Sequence, residues 1–139
     1  MNFKISKFLM LSAVLLIMPS ITNACEGTVI KGQSGKSYCL SNYCLNWYSA
    51  YAWCDAQGMK LMQSVDCGSY SGCSDLKLSA EESNKVKELR KETLCGGSMA
   101  WIDVSTSAQN SLAVVFDNGA YYGGYKRNEL SFFAMCMMD

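Results

Sequence analysis

The stretch Asn46-Trp-Tyr-Ser-Ala-Tyr-Ala-Trp-Cys-Asp-Ala-Gln-Gly58 reads as a short amphipathic helix with a signal at each end. Asn46 can cap the N-terminus, because its side-chain oxygen can accept a hydrogen bond from a free backbone N–H. Gly58 can supply the left-handed residue that ends the helix. Apolar positions recur at i, i+3, i+4 and i+7, which places them on one face. The residues of this face are Trp47, Ala50, Tyr51 and Cys54. Because the face carries a cysteine, the sequence predicts a helix that is both packed and covalently tied to another part of the chain.

The first 24 residues have the pattern of a secretory signal peptide. Lys4 and Lys7 give a basic start, residues 8–18 are mostly apolar, and Thr22-Asn23-Ala24 resembles an A-x-A cleavage site. The apolar run is too short to span a membrane. We therefore expect a protein that is secreted, periplasmic or on the cell surface, and that does not span the membrane.

Cleavage after residue 24 leaves residues 25–139, a length that fits one domain with a modest core. An alternative is that Cys25, the first residue of this segment, is the lipidated cysteine of a bacterial lipoprotein. Thr22 and Asn23 fit that signal poorly. The oligomeric state is left open by the sequence.

The mature segment contains all eight cysteines and no histidine. An even number of cysteines in an exported chain predicts disulfide bonds. The absence of histidine and of any C-x-x-C pair argues against a metal site, and no cofactor is expected. Ten basic and twelve acidic residues give the mature segment a net charge of −2, which does not favour nucleic acid or an anionic membrane as a partner.

The order of predicted elements is strand, helix, helix and then several strands, which is typical of the α+β class. The second helix begins at the capping box Ser79-Ala-Glu-Glu82 and ends at Gly96-Gly97. Strands are predicted at residues 28–30, 36–40, 60–62, 99–104, 111–116, 120–122 and 130–138, with a hairpin turn at 117–119 and loops at 66–75 and 123–129.

Three segments together resemble a C-type lectin-like domain in the compact form found in exported bacterial proteins. The segment from Trp47 to Leu61 resembles the first helix of that family, with its aromatic–x–x–alanine face, cysteine, glycine and leucine. Trp101-Ile-Asp-Val104 resembles the Trp-Ile-Gly-Leu core strand, with Asp103 in place of the glycine. Phe133-Ala-Met-Cys136 resembles the final strand. The resemblance covers the mature chain and implies two helices packed on small antiparallel sheets, stapled by disulfides.

The resemblance implies that Cys54 pairs with Cys136, which ties the first helix to the last strand. Cys67 and Cys73 are expected to pair with each other, since the glycines between them let the chain turn back. Three connectivities stay open for the remaining four cysteines. These cysteines are Cys25, Cys39, Cys44 and Cys95, and we favour Cys25–Cys39 with Cys44–Cys95.

The chain departs from the family where sugar-binding members hold calcium. The Glu-Pro-Asn or Gln-Pro-Asp stretch and the Trp-Asn-Asp stretch are both missing, and the only proline is Pro19 in the signal peptide. The mature segment therefore lacks the cis-proline that shapes the calcium loop. Calcium-dependent sugar binding is not expected.

The function favoured by the resemblance is a secreted or cell-surface binding module, like the tip domains of bacterial adhesins, that binds a protein or glycan without calcium. The glycine-flexible segment 120–129 combines large amphipathic rings with positive charge, the residue types that dominate binding hot spots. Its candidate ligand-binding residues are Tyr121, Tyr122, Tyr125, Lys126 and Arg127. The alternative interpretation is one or two core tyrosines in an ordinary polar loop.

A second possible function is a structural or assembly subunit of a bacterial envelope or pilus apparatus, with methionines near the C-terminus packing on a partner. An enzyme is not expected. The chain has no histidine, no G-x-S-x-G, no recognisable pair of catalytic acids and no C-x-x-C. No catalytic residues are therefore predicted.

Overall fold

The structure, a computed structural model, describes residues 24–67, 71–93, 95, 98–116 and 118–138. The predicted signal peptide lies outside these residues except for Ala24. In chain order the elements are β1 (Thr28–Lys31), β2 (Ser37–Leu45), α1 (Trp47–Ala56), β3 (Lys60–Leu61), α2 (Ala80–Thr93), β4 (Met99–Ser105), β5 (Asn110–Val115), β6 (Tyr121–Lys126) and β7 (Phe132–Met138). The predicted α+β class is confirmed. Among the described residues, neither helix combines the length and apolarity needed to cross a membrane.

The strands form one mixed sheet, not the several small antiparallel sheets that were expected. Its order is β1-β2-β7-β4-β5-β6, and β3 pairs with β7. The sheet is continuous because β7 pairs antiparallel with β2 on one side and parallel with β4 on the other, with Ala100 opposite Phe133. This parallel pair joins the N-terminal hairpin to the later strands, and sequence periodicity carries no signal for it.

The sheet separates two apolar cores, one against each helix. Successive strand residues point to opposite faces, so neighbours along β4 and β7 fall into different cores. Trp101 lies in the α1-side core, between Ala100 and Ile102, which belong to the α2-side core. Strands buried on both faces read as continuous apolar runs, which explains the composition of segments such as Phe132–Met138.

Both predicted ends of α1 are confirmed. The Ser49 backbone N–H donates to Asn46 Oδ1 at 2.9 Å. At the other end, Gly58 adopts φ +73°, its N–H donates to the Asp55 carbonyl, and the Met59 N–H donates to the Cys54 carbonyl. This pair of bonds is a Schellman motif, which satisfies the last carbonyls of the helix.

The predicted buried face of α1 is wrong at one position. Ala50 and Cys54 are fully buried and Trp47 is half-buried, but Tyr51 is exposed. Trp53 is half-buried and packs against the α1-side core instead. The ten-residue helix has more large rings than one face can bury, and the i+3 and i+4 spacings do not say which of them turns outward.

The start of α2 confirms half of the predicted capping box. The Glu82 backbone N–H donates to Ser79 Oγ at 3.2 Å. The Glu82 carboxylate does not complete the box, because it accepts from the Lys31 backbone N–H at 3.0 Å and pairs with Lys85 at 2.9 Å. Glu82 therefore ties α2 to strand β1. Gly96-Gly97, the predicted helix end, lies outside the described residues.

Four disulfides link the described parts of the chain. They are Cys25–Cys39, Cys44–Cys95, Cys54–Cys136 and Cys67–Cys73. The Cys54–Cys136 bond is the pairing that the family resemblance implies. Of the three connectivities left open for the other four cysteines, the structure forms the favoured one.

Two segments predicted as loops contain regular structure. The segment 66–75 includes parts of two short 3-10 turns, Ser64–Cys67 and Ser74–Leu76, on either side of residues that are not described. Strand β6 continues through Gly123 and Gly124 to Lys126 because β5 pairs with it. Ser111 lies opposite Tyr125, and the register of the two strands shifts between Ser111 and Ala113. Pairing with a neighbouring strand outweighs the weak strand propensity of glycine.

Candidate ligand-binding surface

Strand β6 and its following turn contain the five residues predicted to bind a ligand, and the structure divides them. Tyr121 is half-buried against the α2-side core, and burial raises its pKa, with the negative charge of Asp66 adding to the effect. Tyr125 belongs to the other core, where its ring meets Phe132 edge-on at 5.1 Å. Tyr122 is 49% exposed.

The two basic residues of the segment, Lys126 and Arg127, also differ in burial. Lys126 is exposed and pairs with Glu129 at 3.3 Å. Arg127 is half-buried and makes several contacts within the protein. The five residues therefore do not form one continuous surface, and their role in ligand binding stays a prediction.

Arg127 joins the turn after β6 to helix α1. Its guanidinium carbon lies 4.4 Å from the centroid of the Trp47 ring, a distance typical of a cation–π contact. Its Nε donates to the Oγ of buried Ser111 at 2.7 Å, and a terminal nitrogen donates to Ser105 Oγ. The Arg127 carbonyl accepts from the Trp47 backbone N–H at 3.0 Å. These contacts fix Trp47 relative to the sheet.

Trp47 is the centre of a group of three rings on α1. The Tyr51 ring stacks on it with centroids 5.4 Å apart and planes 27° apart, and the Tyr48 ring meets it edge-on, also at 5.4 Å. Trp47 Nε1 donates to the Ile102 carbonyl at 3.1 Å, which anchors the indole to β4. Tyr48 is 51% exposed and Tyr51 46% exposed. We call Trp47, Tyr48 and Tyr51 the α1 aromatic surface.

A polar cleft begins beside Tyr51. Its first part has a volume of about 160 Å³, and its second part has about 280 Å³. The first part is lined by Tyr51, Asp55, Met59, Lys60, Leu61, Gln63 and Asp103; the second shares Met59, Lys60 and Gln63 with it and adds Gly58, Asp66 and Met137. The two parts share three lining residues, so they lie next to each other between the α1 aromatic surface and the end of β7.

Gln63 organises the polar side of this cleft. Its side-chain amide donates to Asp103 Oδ2 at 3.3 Å, and its backbone N–H donates to Asp66 Oδ2 at 2.7 Å. Asp55 follows Tyr51 by one helical turn, which places the two side chains on the same exposed face of α1. The cleft thus presents carboxylates, an amide and the Lys60 ammonium next to a stacked pair of rings.

Larger clefts elsewhere lack aromatic walls among the described residues that line them. One of about 410 Å³ lies at the β1–β2 turn and includes Asp75 and Lys36, and one of about 450 Å³ lies along α2 and includes Arg90 and Cys95. A search of the described chain finds no group of three His, Cys, Asp or Glu side chains placed to hold a metal ion. The α1 aromatic surface with its polar cleft is therefore the best-formed candidate site.

Sequence reasoning missed this site because it assigned Tyr51 to the buried face of α1. One signal could have found it. Residues 47–53 contain four large aromatic side chains within two helical turns, whereas a helix on a single sheet face buries about half of its circumference. At least one of the four rings must then be exposed.

Replacing Arg127 with methionine is expected to lower the free energy of unfolding by about 2 kcal/mol, since a charged hydrogen bond to buried Ser111 and the contact with Trp47 are both lost. The change can be followed by urea unfolding monitored by tryptophan fluorescence. Lys126→Met is the matched control, because its exposed ion pair contributes little. Equal losses for the two variants would contradict a positioning role for Arg127.

Comparison with protein-family models finds no model that matches this chain, and comparison with curated proteins finds no matching sequence.

Proposed function

We propose that this chain is an extracellular binding module of C-type lectin-like architecture that captures its ligand on the α1 aromatic surface without calcium. The signal-like N-terminus and four disulfides support an exported protein. The bond from α1 to β7, Cys54–Cys136, supports the lectin-like architecture because it is the one pairing that the sequence resemblance specifies.

The observation that carries the proposal is the pair of exposed tyrosines held against a fixed indole. An exposed large ring costs a folded protein solubility, and two adjacent ones beside a cleft are typical of an interaction site. Tyr48 and Tyr51 are also pre-organised, since Trp47 beneath them is held by Arg127 and by the Ile102 carbonyl. Rigid rings lose little conformational entropy on binding, which is why tyrosine contributes strongly at interfaces.

The sequence of the mature segment supports binding that is independent of calcium. It contains no proline and neither of the two stretches that supply calcium ligands in sugar-binding relatives. Binding through aromatic faces and neutral or charged hydrogen-bonding groups requires no metal. A chelator should therefore leave ligand binding unchanged.

The proposed function is tested with a glycan array and a panel of extracellular-matrix proteins, each probed with and without chelator. The Tyr48→Ala/Tyr51→Ala variant is expected to bind the best ligand about 30-fold more weakly, corresponding to roughly 1 kcal/mol for each ring. Titration calorimetry on the captured ligand gives the affinity.

Tyr122→Ala is the matched control, because it removes a tyrosine of similar exposure from β6. Its affinity should equal that of the wild type. A loss confined to Tyr122→Ala would move the site to the β6 segment, and calcium-dependent binding would overturn the proposal. Co-purification with an envelope complex and no ligand in either panel would favour the assembly-subunit alternative.

A further inference from the structure

We infer that the polar cleft selects glycans carrying a protonated amine, so that amino sugars are the ligand class of this surface. The inference rests on the proposed function and adds a chemical preference to it. It is carried by the combination of an exposed ring with an excess of carboxylates in the part of the cleft beside Tyr51.

Charge in the cleft favours a cation. Asp55 and Asp103 line the part beside Tyr51, and Lys60 is the single ammonium among the residues lining it. Asp66 adds a third carboxylate in the second part, where Lys36 approaches its backbone carbonyl at 2.9 Å. An anionic ligand such as a uronic acid would meet this excess of negative charge, whereas a ligand ammonium would be attracted.

The rings favour the same ligand. The face of an aromatic ring is the negative part of its quadrupole, and it attracts both a cation and the partly positive C–H groups on the face of a sugar. Tyr51 stacks on Trp47 and also lines the cleft together with Asp55 and Asp103. A ligand bound in this part of the cleft therefore has both an aromatic ring and carboxylates in its walls.

Hydrogen-bonding groups in the cleft suit a sugar better than a lysine side chain. Gln63 contacts two carboxylates with different groups: its side-chain amide donates to Asp103 Oδ2 at 3.3 Å, and its backbone N–H donates to Asp66 Oδ2 at 2.7 Å. Such a row of acceptors and donors can bind neighbouring hydroxyls as well as an amine. A lysine offers one ammonium on an apolar stem and would contact fewer of these groups than a sugar with several hydroxyls.

The size of the cleft indicates a short ligand segment. Each part of the cleft, at about 160 and 280 Å³, is smaller than the pockets of roughly 300–1,000 Å³ that enclose drug-sized ligands, and the two together are at the small end of that range. One or two sugar rings fit this scale. We expect weak single-site affinity, which dense display of the glycan would raise through multivalency.

The test measures binding of the disulfide-bonded protein to four soluble probes in mildly acidic solution, which favours the protonated form of the sugar amine. The probes are β-1,4-linked tetramers of glucosamine and N-acetylglucosamine, a galacturonic acid tetramer and a tetralysine peptide. The glucosamine tetramer is expected to bind about fivefold more tightly than its acetylated counterpart at low salt. The difference should shrink as the salt concentration is raised.

The Asp55→Asn/Asp103→Asn variant is expected to lose this preference while keeping its affinity for the N-acetylated probe. Asp55→Asn alone, a change at an exposed helix position, serves if the double variant folds poorly. Glu81→Gln/Glu88→Gln on α2 is the matched control, because it removes the same net charge from exposed positions away from the cleft. That control should retain the preference.

Each other result overturns the inference. Equal binding of the two glucosamine-based probes, or a preference insensitive to Asp55 and Asp103, would remove the amine preference and leave the binding-module proposal in place. Tighter binding of tetralysine or galacturonate would show a different ligand class. Absence of binding to every sugar probe would exclude this class, while a ligand lost in Tyr48→Ala/Tyr51→Ala would still support the proposed function.

Discussion

Replacing both Cys54 and Cys136 with alanine is expected to lower the free energy of unfolding by about 4.5 kcal/mol. The bond joins residues 82 positions apart, and the chain-entropy model gives this value for a loop of that length. Both cysteines are fully buried between α1 and β7. Since small domains are stable by only about 5–15 kcal/mol, this loss would be between about a third and nearly all of the stability of the domain.

The experiment is urea unfolding of the double variant under non-reducing conditions, with the other three disulfides intact. The matched control is Cys67→Ala/Cys73→Ala, whose disulfide spans six positions and for which the same model gives about 2.4 kcal/mol. If removing Cys54–Cys136 lowers the free energy of unfolding no more than removing Cys67–Cys73 does, this disulfide is not the one that stabilises the domain most.

The second large effect is expected at Asp75, where alanine should cost about 3 kcal/mol. The Asp75 carboxylate accepts from the hydroxyl of fully buried Tyr38 at 2.5 Å and from the Ser34 backbone N–H at 2.5 Å. Gly32 makes room for it, because a Cβ at that position would lie 2.1 Å from Asp75 Oδ2. Alanine would remove these charge-assisted bonds and leave the Tyr38 hydroxyl buried without its acceptor.

The ionisation of Asp75 makes this contribution depend on pH. Burial alone would raise the pKa of Asp75, but hydrogen bonds from Tyr38 and Ser34 and the charge of Lys36 outweigh it, so that the pKa lies below its usual value. The unfolded chain therefore binds more protons in acid. The stabilisation is complete above the unfolded pKa of about 4 and is lost as the pH falls through the folded pKa.

Two substitutions separate charge from hydrogen bonding at this position. Asp75→Asn keeps an acceptor and should cost about 1 kcal/mol at neutral pH, with a shallower loss of stability in acid, below about pH 5, than the wild type. Asp55→Ala, at an exposed position, should change stability by less than about 0.5 kcal/mol. If the free energy of unfolding falls with decreasing pH equally in the wild type and in Asp75→Asn, the ionisation of Asp75 does not contribute to stability.

The sequence predicted the features that depend on neighbouring residues. Asn46 and Gly58 bound α1 because capping uses atoms three or four positions away, and Ser79 begins α2 for the same reason. Residues 118–119 turn the chain between β5 and β6, where Asn118 Oδ1 accepts from the Ala120 N–H at 2.8 Å. Such bonds form within the segment, so its composition is enough to indicate them.

Other features depend on residues far apart in the chain and could not be predicted from the sequence. The exposure of Tyr51 depends on which rings the sheet has room for, and the position of Arg127 depends on Trp47, Ser105 and Ser111 meeting in space. The candidate site therefore moved from a segment singled out by composition to a surface that α1, β3 and β4 form together.

Local hydrogen bonds and apolar periodicity were enough to predict the α+β class, the ends of α1 and the start of α2 without a structure. The sequence also specified Cys54–Cys136, through resemblance to a known pattern. Three features needed the folded structure to be established: one mixed sheet joins the strands, the cysteines left open pair as Cys25–Cys39 and Cys44–Cys95, and Tyr48 and Tyr51 are exposed. The physical reason is that strand pairing and the choice of buried rings are set by contacts between residues far apart in the chain, and these exist only once the two cores have packed on the sheet.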